Sequence, residues 1–123
     1  MLKQQIRYVV ATWLLLGATG LWAGEVNILH VVAKPAGSGR YYIDVTLKHA
    51  DTGWAHYADR WDVLDEQGTI IGQRILYHPH VDEQPFTRGL SLSIPEHVKQ
   101  ITIRAHDKVH GLSSQEKTIQ LKD

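Results

Sequence analysis

Arg40-Tyr41-Tyr42-Ile43-Asp44-Val45-Thr46-Leu47-Lys48 decides the fold class. Tyr41, Ile43, Val45 and Leu47 fall on one side of an extended chain, and Tyr42, Asp44, Thr46 and Lys48 on the other. A period of two, carried by β-branched and aromatic residues, is the pattern of a strand that buries one face. A helix would spread the same four apolar side chains around its axis.

The pattern continues in both directions. On the N-terminal side, Lys34-Pro35-Ala36-Gly37-Ser38-Gly39 has the composition of a turn. Before it, residues 25–33 read as a strand with Val26, Ile28, His30 and Val32 on one face and Leu29 and Val31 on the other. On the C-terminal side, Asp51-Thr52-Gly53 turns the chain into a third strand over residues 56–64, with Tyr57, Trp61 and Val63 inward. Asp65-Glu66-Gln67-Gly68 is a tight-turn signal before a fourth strand at 69–77. Residues 78–88 form a long loop whose Pro79 and Pro85 cannot donate to a ladder. A fifth strand at 89–94 points Leu90, Leu92 and Ile94 inward, and a sixth carries Val98, Ile101, Ile103 and Ala105 on its apolar face. Residues 107–114 are the last loop, and 118–121 lie in the seventh strand.

About seven short strands with turn chemistry between them predict an all-β antiparallel sandwich. With Trp61 in the third strand, the pattern resembles immunoglobulin-like and fibronectin-type-III-like sandwiches, although no cysteine is present to form the disulfide of antibody domains. That resemblance implies an architecture and no function.

Residues 1–23 stand apart. Lys3 and Arg7 precede a mostly apolar run from Val9 to Trp22, and Ala23 offers a small residue for cleavage. This order is that of a secretory signal peptide, so the expected mature domain is 24–123, periplasmic or secreted. No cysteine follows the apolar run, which rules out lipid attachment through one. Without disulfides, about 100 residues must hold together by core packing. Loss of Lys3 and Arg7 from 13 Lys+Arg leaves 11 against 13 Asp+Glu, a balance that gives no reason to expect nucleic acid or an anionic membrane as partner. All eight histidines remain in the mature part, an unusual share for its size.

In a sandwich of successive antiparallel strands, alternate loops share an end. The second, fourth and sixth loops gather Asp51, Trp54, His56, His78, His80, Asp82, Glu83, Arg88, Asp107 and His110, while the other three are ordinary turns. Function on sandwiches concentrates on loops at one end. His78 and His80, two apart in an extended segment, can reach one ion, with His56 and His110 supplied by the neighbouring loops. Imidazoles without thiolate suit copper(II) or zinc. Asp59, Asp82, Glu83, Arg88 and Asp107 are the candidates for orienting the imidazoles or joining a polar network, and Asp82, Glu83 and Asp107 could be ligands themselves. Trp54 is either a lid on this end or a contact for a peptide or sugar ring. The competing expectation is a structural cap, with Arg88 paired to Asp82, Glu83 or Asp59 and with Phe86 and Val81 tucked beneath. His30 and His49 read as strand or strand-end residues, and His97 as a solvated turn residue.

Catalysis has little support in the sequence. Ser113 and Ser114 lack a nucleophile-elbow context, Asp82 and Glu83 are adjacent and diverge, and there is neither a phosphate-binding glycine loop nor a cysteine nucleophile. The expectation is a non-enzymatic protein, with metal-assisted chemistry on the same histidines as the minor alternative. A non-enzymatic module contacting an unknown protein or glycan is the alternative to metal carriage or sensing.

The runs Thr52-Gly53-Trp54, His56-Tyr57-Ala58-Asp59-Arg60-Trp61, His78 through Arg88 and Asp107-Lys108-Val109-His110-Gly111 resemble a group of small exported bacterial proteins. The resemblance covers most of the middle and end of the mature domain and implies export and one compact domain. The whole is also similar in outline to periplasmic copper-carrier sandwiches, but none of their motifs aligns here and no residue is carried over.

Overall fold

The computed structural model describes residues 24–121, so the expected leader at 1–23 lies outside the described residues. Seven strands are present: β1 (Asn27–Gly37), β2 (Arg40–Lys48), β3 (Ala58–Leu64), β4 (Ile70–Ile75), β5 (Phe86–Ser93), β6 (Gln100–Asp107) and β7 (Gly111–Gln120). There is no helix among the described residues. The strands form a three-stranded sheet, β1-β2-β5, and a four-stranded sheet, β4-β3-β6-β7, with every pairing antiparallel. The all-β expectation of seven strands in two antiparallel sheets holds.

The core lies between the sheets. Ile43, Val45 and Leu47 of β2 face Trp61 and Val63 of β3 and Ile101, Ile103 and Ala105 of β6, all fully buried. Each large apolar side chain removed from water in this way contributes about 1.5–3 kcal/mol. With no disulfide, these contacts carry the stability of the fold.

Several boundaries differ from those read in the sequence, each for an identifiable reason. Strand β1 carries a register shift between Ile28 and His30. The bulge moves Val31 and Ala33 onto the core face and leaves Val32 exposed, reversing the expected facing of its second half. Strand β1 also runs through Pro35 to Gly37, where a turn was expected. It is an edge strand, the place in a sheet where a proline is tolerated. Strand β5 begins at Phe86, so Phe86, Thr87 and Arg88 pair with β2 rather than belonging to the loop. Asp107 ends β6 and Gly111 already starts β7, which shortens the expected last loop to a three-residue turn.

The sorting of loops is as expected. His49 and Asp51, after β2, reach His80, before β5, and Asp107, at the end of β6. At the opposite end, Ser38 and Gly39 line the same cavity as Pro95 and Glu96.

Candidate functional site

The site begins as a continuation of the core. In β2 the inward row Ile43, Val45, Leu47 extends in the same period to His49 and Asp51, both buried. In β6 the inward row Ile101, Ile103, Ala105 extends to Asp107, also buried. Both strands run toward the same end, so two apolar rows on opposite sheets terminate at one end in an imidazole and two carboxylates. Polar groups buried in this way need partners.

Asp107 collects them. Its Oδ1 accepts from the amides of Val109, at 2.8 Å, and His110. Its Oδ2 faces three imidazole nitrogens: His110 Nδ1 at 3.1 Å, His49 Nε2 at 3.2 Å and His56 Nε2 at 3.6 Å. Burial pushes the Asp107 carboxyl up, but the His110 amide and ring, the Val109 amide and the attraction of His110 together outweigh it and hold its pKa below the usual value.

His49 is held from the other side. Its Nδ1–H donates to Asp51 Oδ1, while its Nε2 faces Gly24 O at 3.1 Å as well as Asp107. A neutral imidazole carries one N–H. With that hydrogen on Nδ1, Nε2 turns a lone pair toward two further oxygens, and a proton or a metal ion there makes both contacts attractive. His56, from the turn closed by the Gly53–His56 bridge, stacks edge-on against His49 with ring centroids 4.8 Å apart. Its Nε2 is buried and has no hydrogen-bond partner. The His110 ring is tilted against His56, at 5.0 Å between centroids.

These distances suit an ion. Ligand atoms about 2.0–2.1 Å from a tetrahedral zinc stand about 3.3–3.4 Å from one another. One donor atom each from His49, His56 and Asp107 lie within 4.8 Å of one another, and the three nitrogens around Asp107 Oδ2 bracket the tetrahedral spacing. Asp51 behind His49 is the carboxylate that fixes tautomer and ring orientation in such centres.

The remaining expected residues form a second group. His80 is buried, stacked on Phe86 at 3.9 Å between ring centroids, with His78 tilted 4.7 Å away. Arg88 donates to His80 Nε2 and to Glu83 Oε1, each at 3.0 Å, which resolves the expected choice of partner in favour of Glu83. Glu83 is held below the usual carboxylate pKa, first by that hydrogen bond. His80 Nδ1 is buried without a hydrogen-bond partner, 3.9 Å from Asp51 Oδ2. The His80 amide donates to the same Oδ2 at 2.7 Å, so Asp51 touches both groups. His78 is exposed and its Nδ1–H donates to Pro79 O, while Asp82 and Val81 are exposed. Asp59 accepts from His106 Nδ1–H at 2.6 Å, away from both groups. Trp54 is 66% exposed and packs edge-on against Tyr57.

The structure therefore brings His56, His110 and Asp107 together, places His78, His80, Glu83 and Arg88 in the adjacent group, and adds His49 and Asp51. The signal for those two lies in the sequence: the period of β2, followed past Lys48, puts both on the inward row.

Burial first, then Arg88, then His78 lower the pKa of His80 below its ordinary 6.5, against weaker raising by Glu83 and Asp51. The unfolded chain therefore takes up this proton more readily than the folded one. Its contribution to stability is complete above about pH 6.5 and is lost as the pH falls from there through the folded value. Melting temperature is expected to fall between pH 7 and 5, with a shallower slope in His80→Gln, which keeps an acceptor for Arg88 and does not titrate. An unchanged slope in that variant would assign the pH dependence elsewhere.

Over 91 residues this chain is 37% identical to a protein of Halomicrobium mukohataei named "Putative lipoprotein". The match takes in 74% of this chain and 45% of that protein, so the chain spans about half the length of its relative. No family model matches the chain, and no solved structure matches it.

Proposed function

We propose that this chain is an exported, non-enzymatic protein that binds one copper(II) or zinc ion through His49, His56, Asp107 and His110, for carriage or sensing. The observation that carries this reading is the convergence of three imidazole nitrogens on one buried carboxylate oxygen, with His56 Nε2 left without a hydrogen-bond partner. The leader pattern in residues 1–23 and the name of the relative both fit export. Lipid attachment is not carried over, because this sequence has no cysteine. Relative to the sequence expectation, His49 and Asp107 replace His78 and His80 as ligands. A guanidinium already occupies His80 Nε2, and an ion there would meet its positive charge.

The test is calorimetric titration of the purified exported protein with each metal. One ion per chain is expected to bind, and His56→Ala, whose side chain is 23% exposed and cheap to remove, weakens binding by more than about tenfold. His78→Ala leaves affinity unchanged. A second reading rests on the direct contacts already present: His49 held between Asp51 and Asp107, a structural cap beneath a protein-contacting rim in which Trp54 and Tyr77 are 66% and 74% exposed. That reading expects no saturable metal binding.

A further inference from the structure

The backbone of Gly24 is part of the same centre. Its carbonyl oxygen stands 3.1 Å from His49 Nε2. A Cβ at this position would lie 2.7 Å from His110 Cε1 and 3.1 Å from His110 Nε2, so residue 24 lies against the imidazole and a side chain there would displace the ring. The two residues behind it are pinned to the start of β7. Val26 N–H donates to Ser113 Oγ at 3.2 Å, Ser113 Oγ–H donates to Val26 O at 3.1 Å, and Ser114 Oγ–H donates to Glu25 Oε2 at 2.8 Å. The chain is thus anchored so that residue 24 is delivered between His49 and His110. It is also the residue after the expected cleavage position, Ala23.

We propose that removal of the leader adds a ligand to the metal centre, with the freed α-amine of Gly24 as a further nitrogen beside His49, His56, His110 and Asp107. This rests on the metal reading above. Before cleavage the Gly24 nitrogen is an amide, its lone pair delocalised into the Ala23 carbonyl and poor as a ligand. Hydrolysis by the export peptidase adds water across the Ala23–Gly24 bond, leaving a carboxylate on Ala23 and an ammonium on Gly24. Binding of the ion then releases one proton from that ammonium to solvent and engages its lone pair. The precursor is consequently a weaker binder, and loading is favoured in the compartment in which the leader is removed.

The experiment uses the full chain, exported, processed and purified, with its N-terminus read by intact mass. A second form carries Ala-Ser inserted between Ala23 and Gly24, so that processing leaves the amine two residues away from the centre. Zinc affinity is expected to fall at least about tenfold in the inserted form, with its metal-free melting temperature unchanged. Independently, acetylation of the Gly24 amine by an N-hydroxysuccinimide ester is expected to slow when zinc is bound. A mass that does not begin at Gly24, equal affinities in the two forms, or equal acetylation with and without zinc would each overturn the proposal. If His56→Ala weakens binding while the insertion does not, the amine is no ligand and the side-chain site stands. If neither change matters, the metal reading itself fails.

Discussion

Asp107→Ala is expected to lose metal binding and about 3–5 kcal/mol of folding stability together. The carboxylate is fully buried and lies against three imidazoles and two amides. Truncation removes the acceptor that closes the turn from β6 into β7 and leaves the Val109 and His110 amides and His110 Nδ1 without it. The two losses can be separated with Asp107→Asn. An amide oxygen in the place of Oδ1 keeps the bonds from Val109 and His110. An amide NH2 in the place of Oδ2 donates to the lone pair of His49 Nε2, but it offers an ion nothing. Asp107→Asn should therefore cost about 1–3 kcal/mol and still bind no metal. Denaturant unfolding and calorimetry read the two quantities on the same samples. Wild-type affinity in the asparagine variant would remove Asp107 from the ligand set.

How much of this could be read from the chain depends on which physical rule each residue obeys. Strand β2 was legible because every residue from Tyr41 to Lys48 agrees on one period, and the facing of the described core follows that agreement. The facing of β1 beyond Leu29 was not, because a bulge adds one residue and leaves no compositional mark. The gathering of three loops at one end was legible from strand parity alone. The partition of their histidines was not. His78 and His80 carry the conspicuous spacing, yet Arg88 engages one and the other is exposed. His49 carries no motif, and its importance comes from a carboxylate 58 residues away in sequence. Polarity after Lys48 and Ala105 suggests that each strand is ending. In the structure the inward period persists, and the core changes from apolar to ionic along the same rows. The polar groups at this end meet on Asp51 as well as on Asp107, and of the residues expected in a polar network Asp82 is exposed and Asp59 pairs with His106 instead.

Asp51 gives the strongest test of that network. Its Oδ1 accepts from His49 Nδ1–H and from the Ala58 amide at 3.1 Å, and its Oδ2 accepts from the His80 amide at 2.7 Å. It therefore joins the end of β2, the start of β3 and the loop before β5, and all three hydrogen bonds require an acceptor. Asparagine is nearly isosteric but has only one oxygen. If that oxygen keeps His49 and Ala58, the NH2 group meets the His80 amide donor to donor. If it keeps His80, His49 loses its orienting acceptor. Either way a buried donor is left unpaired, at a cost of about 1–3 kcal/mol. Asp51→Asn is thus expected to lose stability despite its shape, and to weaken metal binding about 10–100-fold if His49 is the group released. Hydrogen exchange distinguishes the two arrangements. Rapid exchange at the His80 amide with affinity retained shows that the loop was released, and a protected His80 amide with affinity lost shows that His49 was. Wild-type protection together with wild-type affinity would mean that Asp51 does not couple the two groups, and that the loop bearing His78 and His80 is held by Gln84, which accepts from the His49 amide and donates to the His80 carbonyl.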